Sequence, residues 1–162
     1  MLVAHYIGNH AKDTLAVRTG WAITRAVQRG TYKAVTHCEA IHAVNADGSV
    51  TIASASVRDG GVRTKHNVRL TPGNWLIVDV PSWDVQRSID WFAFNNGTPY
   101  DWRGALATVL PGTQSDNGWF CNEAVGSSVG LKDPQIFGPA QFASICMSLG
   151  KDVTAQMLGG KK

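Results

Sequence analysis

Residues 34–57 read AVTHCEAIHAVNADGSVTIASASV, and the fold class can be inferred outward from this stretch. Polar and apolar side chains alternate over residues 34–44, and a period of two predicts a β-strand whose two faces lie in different surroundings. A second alternating run covers residues 49–57, after the turn-forming sequence Asn45-Ala46-Asp47-Gly48. Two alternating runs joined by such a turn predict a β-hairpin.

Further strands and helices are predicted on both sides of the hairpin. Three more strands are expected, over residues 2–8, 62–70 and 74–80. Five helices are expected, over residues 13–28 (with Gly20 as a possible break), 82–97, 102–110, 119–128 and 139–150. The expected N-caps of the second and fourth helices are Ser82 and the cluster at residues 115–118. Because helices and antiparallel strands occur in separate runs, the sequence predicts an α+β fold with an antiparallel sheet packed against helices.

The composition is that of a globular domain. The chain has 162 residues, and its six Trp and five Phe supply enough apolar surface to offset the entropy lost on ordering. We expect one domain over residues 1–162, with a flexible tail over about residues 151–162. Lysine and arginine number 15 against 12 acidic residues. This net charge of +3 is too small and too evenly spread to indicate a nucleic-acid partner.

Segments for export or membrane insertion are not expected. The first residues lack the basic and apolar regions of a secretory signal, and no run reaches the roughly 18 apolar residues of a membrane span. The chain has three cysteines, an odd number without a CxxC pair. This count argues against a disulfide framework and favours a reducing compartment.

Cys121 is the candidate nucleophile. It lies in Asn117-Gly118-Trp119-Phe120-Cys121-Asn122-Glu123, in the first turn of a predicted helix. The unpaired N–H groups and the dipole at a helix N-terminus favour a thiolate over a thiol, and they could stabilise an oxyanion on an attacked carbonyl. Burial as a small apolar side chain is the alternative interpretation.

His37 and Glu39 are the candidate base and its orienting residue. A cysteine nucleophile needs a base, and the base needs a group that orients it. The separation of two residues places both side chains on one face of the predicted strand. An exposed polar face of a hairpin is the alternative. Cys38, on the opposite strand face, and Cys146, in the last predicted helix, are expected to be core residues.

No metal or cofactor site is predicted. His37, Cys38, His42 and Cys121 would be the candidate zinc ligands, but strand alternation sends His37 and Cys38 to opposite faces, and no pair has the usual ligand spacing. The glycine pairs of the chain lack the frame of a phosphate-binding loop.

The order of these motifs resembles a known family. A His-x-Glu strand is followed by Ser54-Ala55-Ser56-Val57-Arg58-Asp59-Gly60-Gly61-Val62-Arg63, then Tyr100-Asp101-Trp102, then Trp119-Phe120-Cys121-Asn122-Glu123. In this order the chain resembles the circularly permuted NlpC/P60 papain-like hydrolases, and it is most similar to the branch found in phage-encoded and YiiX/YaeF-like proteins. The resemblance covers residues 18 to about 131. Its histidine precedes its cysteine, opposite to ordinary papain-like enzymes, and permutation explains this order.

The resemblance implies a permuted papain-like fold and a thiol hydrolase without a cofactor. Cys121 would attack a carbonyl, and His37 would act as base and then as acid. Many family members carry the third polar residue on the strand after the histidine, where this chain has serines. Glu39 is therefore expected to orient His37, with Ser54 as the second candidate.

The resemblance also implies residues that bind the substrate. Tyr100 matches a family tyrosine near the mouth of the active site. Tyr100, Trp119 and Phe120 are candidates for contacts to the substrate or the oxyanion, with Ser54 as a further one. A half-buried aromatic in a turn is the alternative for Tyr100.

The expected substrate is a peptide or another amide, with a peptide of peptidoglycan as the leading example. Two alternatives stay open: a lipid-acyl hydrolase or acyltransferase on the same fold, and a non-catalytic binding module associated with a phage or a cell envelope. We expect the chain to be cytoplasmic at synthesis, and a place in the virion or at the envelope follows only from the resemblance.

Overall fold

The computed structural model describes residues 1–8, 15–28, 30–108 and 117–159. The strands within these residues are β1 (Leu2–Tyr6), β2 (His37–Val44), β3 (Val50–Ser56), β4 (Gly61–Val68), β5 (Trp75–Asp79) and β6 (Lys151–Asp152). The helices are α1 (Leu15–Val27), α2 (Val85–Phe94), α3 (Trp102–Ala107), α4 (Cys121–Ser128), α5 (Pro139–Leu149) and α6 (Thr154–Leu158). The α+β prediction is confirmed.

The strands form one antiparallel sheet in the order β4-β3-β2-β1-β5-β6. The predicted hairpin is the pair β2 and β3, and a register shift between Ile41 and Ala43 interrupts its ladder. In β1, His5 lies opposite Cys38 and Tyr6 lies opposite His37. The beginning of β2 therefore lies beside the end of β1, near the middle of the sheet.

Helices α2, α4 and α5 cover one face of the sheet. Phe92 of α2, Val125 of α4 and Phe142 of α5 are fully or almost fully buried there, and each buried side chain of this size contributes about 1.5–3 kcal/mol. The strands present small residues to these helices: Cys38, Ala40, Ala53 and Ala55. Small side chains allow close packing of helix on sheet, and this brings the beginning of α4 against the sheet.

A smaller apolar cluster lies on the opposite face of the sheet. It contains Ile41, Ile52 and Ile77, and α6 packs on it through Met157 and Leu158. The prediction of a flexible tail from residue 151 is wrong for residues 151–159, which form β6 and α6. The N–H of the buried Val153 donates to the carbonyl of Ile77 (2.9 Å), and this bond ties the segment to β5.

Two predicted N-caps differ from those in the structure. The N-cap of α2 is Asp84 rather than Ser82, and its carboxylate accepts from the N–H groups of Gln86 (2.8 Å) and Arg87 (3.3 Å).

Helix α1 runs through Gly20 without a break.

Helix α4 begins at Cys121 rather than at Trp119, and its N-cap is Phe120. Trp119 is held extended because its N–H donates to the carbonyl of Pro99 (3.1 Å) and its carbonyl accepts from Asp101 (3.1 Å). The predicted cap residues Ser115 and Asp116 lie outside the described residues.

Candidate active site

Cys121 occupies the first helical position of α4, and its side chain is 2% exposed. The first N–H groups of a helix have no partner within the helix, and they point out of its N-terminus. The carboxylate of Glu123 accepts from the N–H of Phe120 (3.3 Å), which closes the cap one residue before the cysteine. The N-terminus of α4 therefore provides a positive electrostatic environment at the sulfur atom.

His37 lies between Cys121 and Glu39 and forms a hydrogen bond with each. Its Nε2 lies 2.9 Å from Oε1 of Glu39, which leaves Nδ1 as the nitrogen for Cys121. Burial opposes the charged imidazole, but the charge of the Cys121 thiolate and the Glu39 carboxylate raise the pKa of His37 to about 9. The imidazolium form is therefore favoured at neutral pH while the thiolate is present.

The environment of Cys121 favours the thiolate. A hydrogen bond from the thiol of Cys38 lowers the pKa of Cys121 most, burial acts in the opposite direction, and the charge and hydrogen bond of His37 lower it further. Cys38 itself is fully buried, and burial and the neighbouring thiolate raise its pKa. Cys38 is a core residue, as predicted, but it lies against the nucleophile.

Glu39 is a buried carboxylate that receives hydrogen bonds from two sides. Its side chain is about 5% exposed, and it accepts from His37 and from both terminal nitrogens of Arg63 (2.7 and 2.8 Å). Burial would raise the pKa of Glu39, but His37 and Arg63 together lower it to about 2. Glu39 is therefore ionised at neutral pH and can hold an imidazolium in place.

Ser54 is not the residue that orients His37. Its hydroxyl donates to the carbonyl of Cys38 (2.7 Å) and lies fully buried in the sheet. The predicted alternative to Glu39 therefore supports the backbone of β2, one residue away from the imidazole.

Tyr100 connects two cavities. It lines a cavity of about 30 Å³ together with Cys121, and a larger pocket of about 190 Å³ together with His37 and Glu39. Burial, and then the charge of Cys121, raise the pKa of Tyr100, so its hydroxyl keeps its proton. Tyr100 therefore lies next to the nucleophile Cys121 and also next to His37 and Glu39.

Phe120 lies beside the nucleophile, whereas the side chain of Trp119 packs into the core. Phe120 is 2% exposed and forms part of the wall of the cavity at Cys121. The ring of Trp119 packs edge-on against Trp91, with ring centroids 4.9 Å apart. Phe120 is brought to the nucleophile, whereas the side chain of Trp119 belongs to the helix-covered core.

Three residues at the site were not singled out by the sequence. Arg63 binds Glu39. Because a buried carboxylate requires a cationic partner, a search for a cation on a neighbouring strand could have identified Arg63. Asn122 is fully buried, its Oδ1 lies 3.4 Å from Sγ of Cys121, and its Nδ2 donates to the carbonyl of Phe137. His5 is fully buried, and its pKa is sensitive to the charge of His37.

Comparison with protein-family models, with curated proteins and with solved structures finds no match to this chain. No helix within the described residues has both the length and the apolar character needed to cross a membrane. In the same part of the chain, no group of three or more His, Cys, Asp or Glu side chains is arranged to hold a metal ion. The function is therefore inferred from the geometry of the site itself.

Proposed function

We propose that this protein is a cysteine hydrolase that cleaves an amide bond, with a permuted papain-like arrangement of the NlpC/P60 type. The observation that carries the proposal is the hydrogen-bonded series Cys121–His37–Glu39, with Cys121 at the N-terminus of α4. Nucleophile, base and orienting carboxylate are the three parts that covalent catalysis by a thiol requires.

Each residue has a defined step in the reaction. The thiolate of Cys121 attacks the carbonyl carbon, and the N–H groups at the N-terminus of α4 stabilise the oxyanion. His37 then donates its proton to the leaving amine, which produces a thioester on Cys121. In the second half, neutral His37 takes a proton from water, and the hydroxide formed in this way hydrolyses the thioester and restores the thiolate. Glu39 keeps the imidazole oriented throughout.

Substrate entry requires the cavity at Cys121 to widen. Its volume of about 30 Å³ has room for about one water molecule. Thr24 of α1, Ala105 of α3 and Thr108, which directly follows α3, line it, and we propose that these two helices move. The larger pocket beside His37 is then the continuation of the substrate groove.

Peptides are the proposed substrates, with peptidoglycan peptides as the leading class by resemblance. A lipid-acyl substrate is the second candidate because α1 and α3 expose apolar side chains next to the residues that line the cavity. Ile23 is 49% exposed, Trp102 is 53% exposed and Leu106 is 43% exposed. Incubation with purified muropeptides and with acyl lipids, followed by mass analysis of the products, separates these two classes.

Alkylation by iodoacetamide tests the nucleophile without knowledge of the substrate. The rate at Cys121, located by mass spectrometry, should reach half its maximum well below about pH 8.5, the ordinary value for a free thiol. His37→Gln should move this midpoint upward, and Cys121→Ser should abolish labelling. If the midpoint for Cys121 equals that of N-acetylcysteine, the hydrolase proposal is wrong and a binding module becomes the better interpretation.

A further inference from the structure

We propose that Arg63 is a positioning residue for His37 and acts through the carboxylate of Glu39. The inference rests on the proposed function, because it concerns the histidine that the hydrolase uses. Nη1 of Arg63 donates to Oε2 of Glu39 (2.8 Å) and Nη2 donates to Oε1 (2.7 Å). The same Oε1 atom accepts from Nε2 of His37 (2.9 Å). One carboxylate oxygen thus connects the guanidinium to the imidazole.

Arg63 is itself held on its other side. Its Nε donates to Oδ2 of Asp59 (2.6 Å), and its Nη1 also contacts the carbonyl of Ser54 (3.3 Å). The second oxygen of Asp59 binds Lys65 (2.6 Å). All three nitrogens of the guanidinium are therefore engaged within the protein. Arg63 is positioned to hold Glu39 rather than to bind a substrate anion.

The position of Arg63 in the sheet explains how it reaches Glu39. Arg63 lies on β4 opposite Ser54 of β3, and Glu39 lies on β2, the next strand. The long side chain crosses β3 and presents a planar pair of donors to the carboxylate. Such a pair fixes both the position and the plane of a carboxylate, which a lysine ammonium cannot do.

Loss of Arg63 should lower the pKa of His37. Arg63 and His37 together offset the burial of Glu39, and a carboxylate left with His37 alone has two ways to relieve the remaining cost. It can turn toward the adjoining pocket of about 190 Å³, which it lines, or it can take up a proton. In both cases the imidazolium loses its anionic partner, and the neutral form of His37 is favoured.

Several other charged or titratable groups face this pair. Those close to His37 and Glu39 or lining the same pocket are Cys121, Cys38, His5, Tyr6, Tyr100, Arg58, Asp59 and Lys65. Lys65 is the nearest alternative cation on β4, but it pairs with Asp59.

The test is an NMR titration of the His37 imidazole in the full chain. It is performed in a Cys121→Ser background, so that no thiolate contributes, and the resonance is assigned by its loss in His37→Gln. Arg63→Met should lower the pKa of His37 by about one unit, a tenfold loss of imidazolium at a given pH above the pKa. Arg63→Lys should give a smaller decrease. Arg69→Met is the matched control, because Arg69 pairs with Asp47 at an exposed position of the same chain.

The possible outcomes separate the two proposals. If Arg63→Met leaves the pKa of His37 unchanged or raises it, the positioning role is wrong. If Arg63→Met does not fold, Arg63→Lys and Asp59→Asn decide, and an unchanged pKa of His37 in both overturns the role. The alkylation profile of Cys121 is measured separately. A Cys121 with the reactivity of a free thiol would overturn the hydrolase, while the titration would still decide the role of Arg63.

Discussion

The imidazole Nε2 of His37 lies 2.9 Å from Oε1 of Glu39, two residues further along β2. The side chain of Glu39 is 5% exposed and that of His37 is 13% exposed, and Glu39 is ionised because Arg63 and His37 offset the cost of its burial. In neutral His37 the carboxylate therefore favours the tautomer that carries its proton on Nε2, which leaves Nδ1 for Cys121. The imidazole also forms a hydrogen bond with the nucleophile.

Glu39→Gln is expected to weaken the activation of Cys121. The amide can still accept a hydrogen bond but carries no charge, so the pKa of His37 falls and the thiolate–imidazolium pair is less populated. We expect the alkylation rate of Cys121 at pH 6 to fall about tenfold, equal to one unit in the pKa difference of the pair. Ser54→Ala is the control, because Ser54 bonds the backbone and not the imidazole. A larger effect of Ser54→Ala than of Glu39→Gln would reverse the assignment of the orienting residue.

His5 should make the protein sensitive to mild acid. Burial, with a smaller effect of His37, lowers the pKa of His5 from 6.5 to about 3, and neither ring nitrogen has a hydrogen-bond partner among the described residues. The unfolded chain binds the proton below pH 6.5 while the folded chain does not. This contribution to stability is therefore complete above pH 6.5 and falls by about 1.4 kcal/mol per pH unit as the pH decreases toward 3.

His5→Leu should remove this sensitivity. Urea unfolding of both proteins at pH 7.5, 6 and 5 measures it, and Glu39, whose pKa in the unfolded chain is 4.5, contributes equally to both. The difference in free energy of unfolding between His5→Leu and the unsubstituted chain should grow as the pH falls. A difference that is constant with pH would show that His5 is not buried in its neutral form.

A buried series of hydrogen bonds between side chains joins β2, α2 and α4. The hydroxyl of Ser128 donates to the carbonyl of Val125 (2.8 Å), so Ser88 must donate to Ser128 (2.9 Å). Ser88 can then accept only from Nε2 of His42 (3.0 Å), whose pKa is lowered to about 4 by burial. Because Ser128 donates to a backbone carbonyl, the donor and the acceptor of the other two hydrogen bonds in this series are fixed.

Ser88→Ala should lower the free energy of unfolding by about 1–3 kcal/mol, because it leaves the N–H of His42 without an acceptor. Ser148→Ala is the control, since the exposed Ser148 bonds a carbonyl of its own helix, and we expect a change within about 0.5 kcal/mol. Chemical denaturation at pH 7.5 measures both. Equal effects of the two substitutions would show that the hydrogen-bond series His42–Ser88–Ser128 does not contribute to stability.

Gly61 should tolerate a side chain far less than its neighbour Gly60. A Cβ atom at Gly61 would lie 2.0 Å from the carbonyl oxygen of Thr98, whereas a Cβ at Gly60 meets no atom of the described residues within 4 Å. Both have positive φ angles (+156° and +77°), so Gly60→Ala controls for backbone strain. Gly60→Ala should cost about 1–2 kcal/mol.

Gly61→Ala should cost clearly more than Gly60→Ala, because the bridge between Gly61 and Pro99 must move. That bridge places Tyr100 at the site, so the alkylation rate of Cys121 should also change in Gly61→Ala and not in Gly60→Ala. Thermal unfolding and the alkylation rate measure the two effects. Similar stabilities for the two variants would show that the segment at Thr98 can move aside without cost.

Local patterns were sufficient for part of the site. Strand alternation places His37 and Glu39 on one face, and a separation of two residues within a strand needs no knowledge of the rest of the chain. The helix predicted over residues 139–150 agrees with α5 (Pro139–Leu149), because proline at the first helical position and glycine after the last are local signals. The start of α4 was missed because long-range pairing with Pro99 and Asp101 keeps Trp119 extended.

By itself, the sequence determined the α+β class, the hairpin that carries His37 and Glu39, and the helix that follows the candidate nucleophile. These features depend on periodicity and turn chemistry over a few residues. Only the tertiary structure decided that Cys38 lies against Cys121, that Arg63 holds Glu39 across β3, and that His5 is buried without a hydrogen-bond partner among the described residues. Strand register and the packing of α4 on the sheet bring these distant residues together, and single-sequence patterns do not encode contacts of that range.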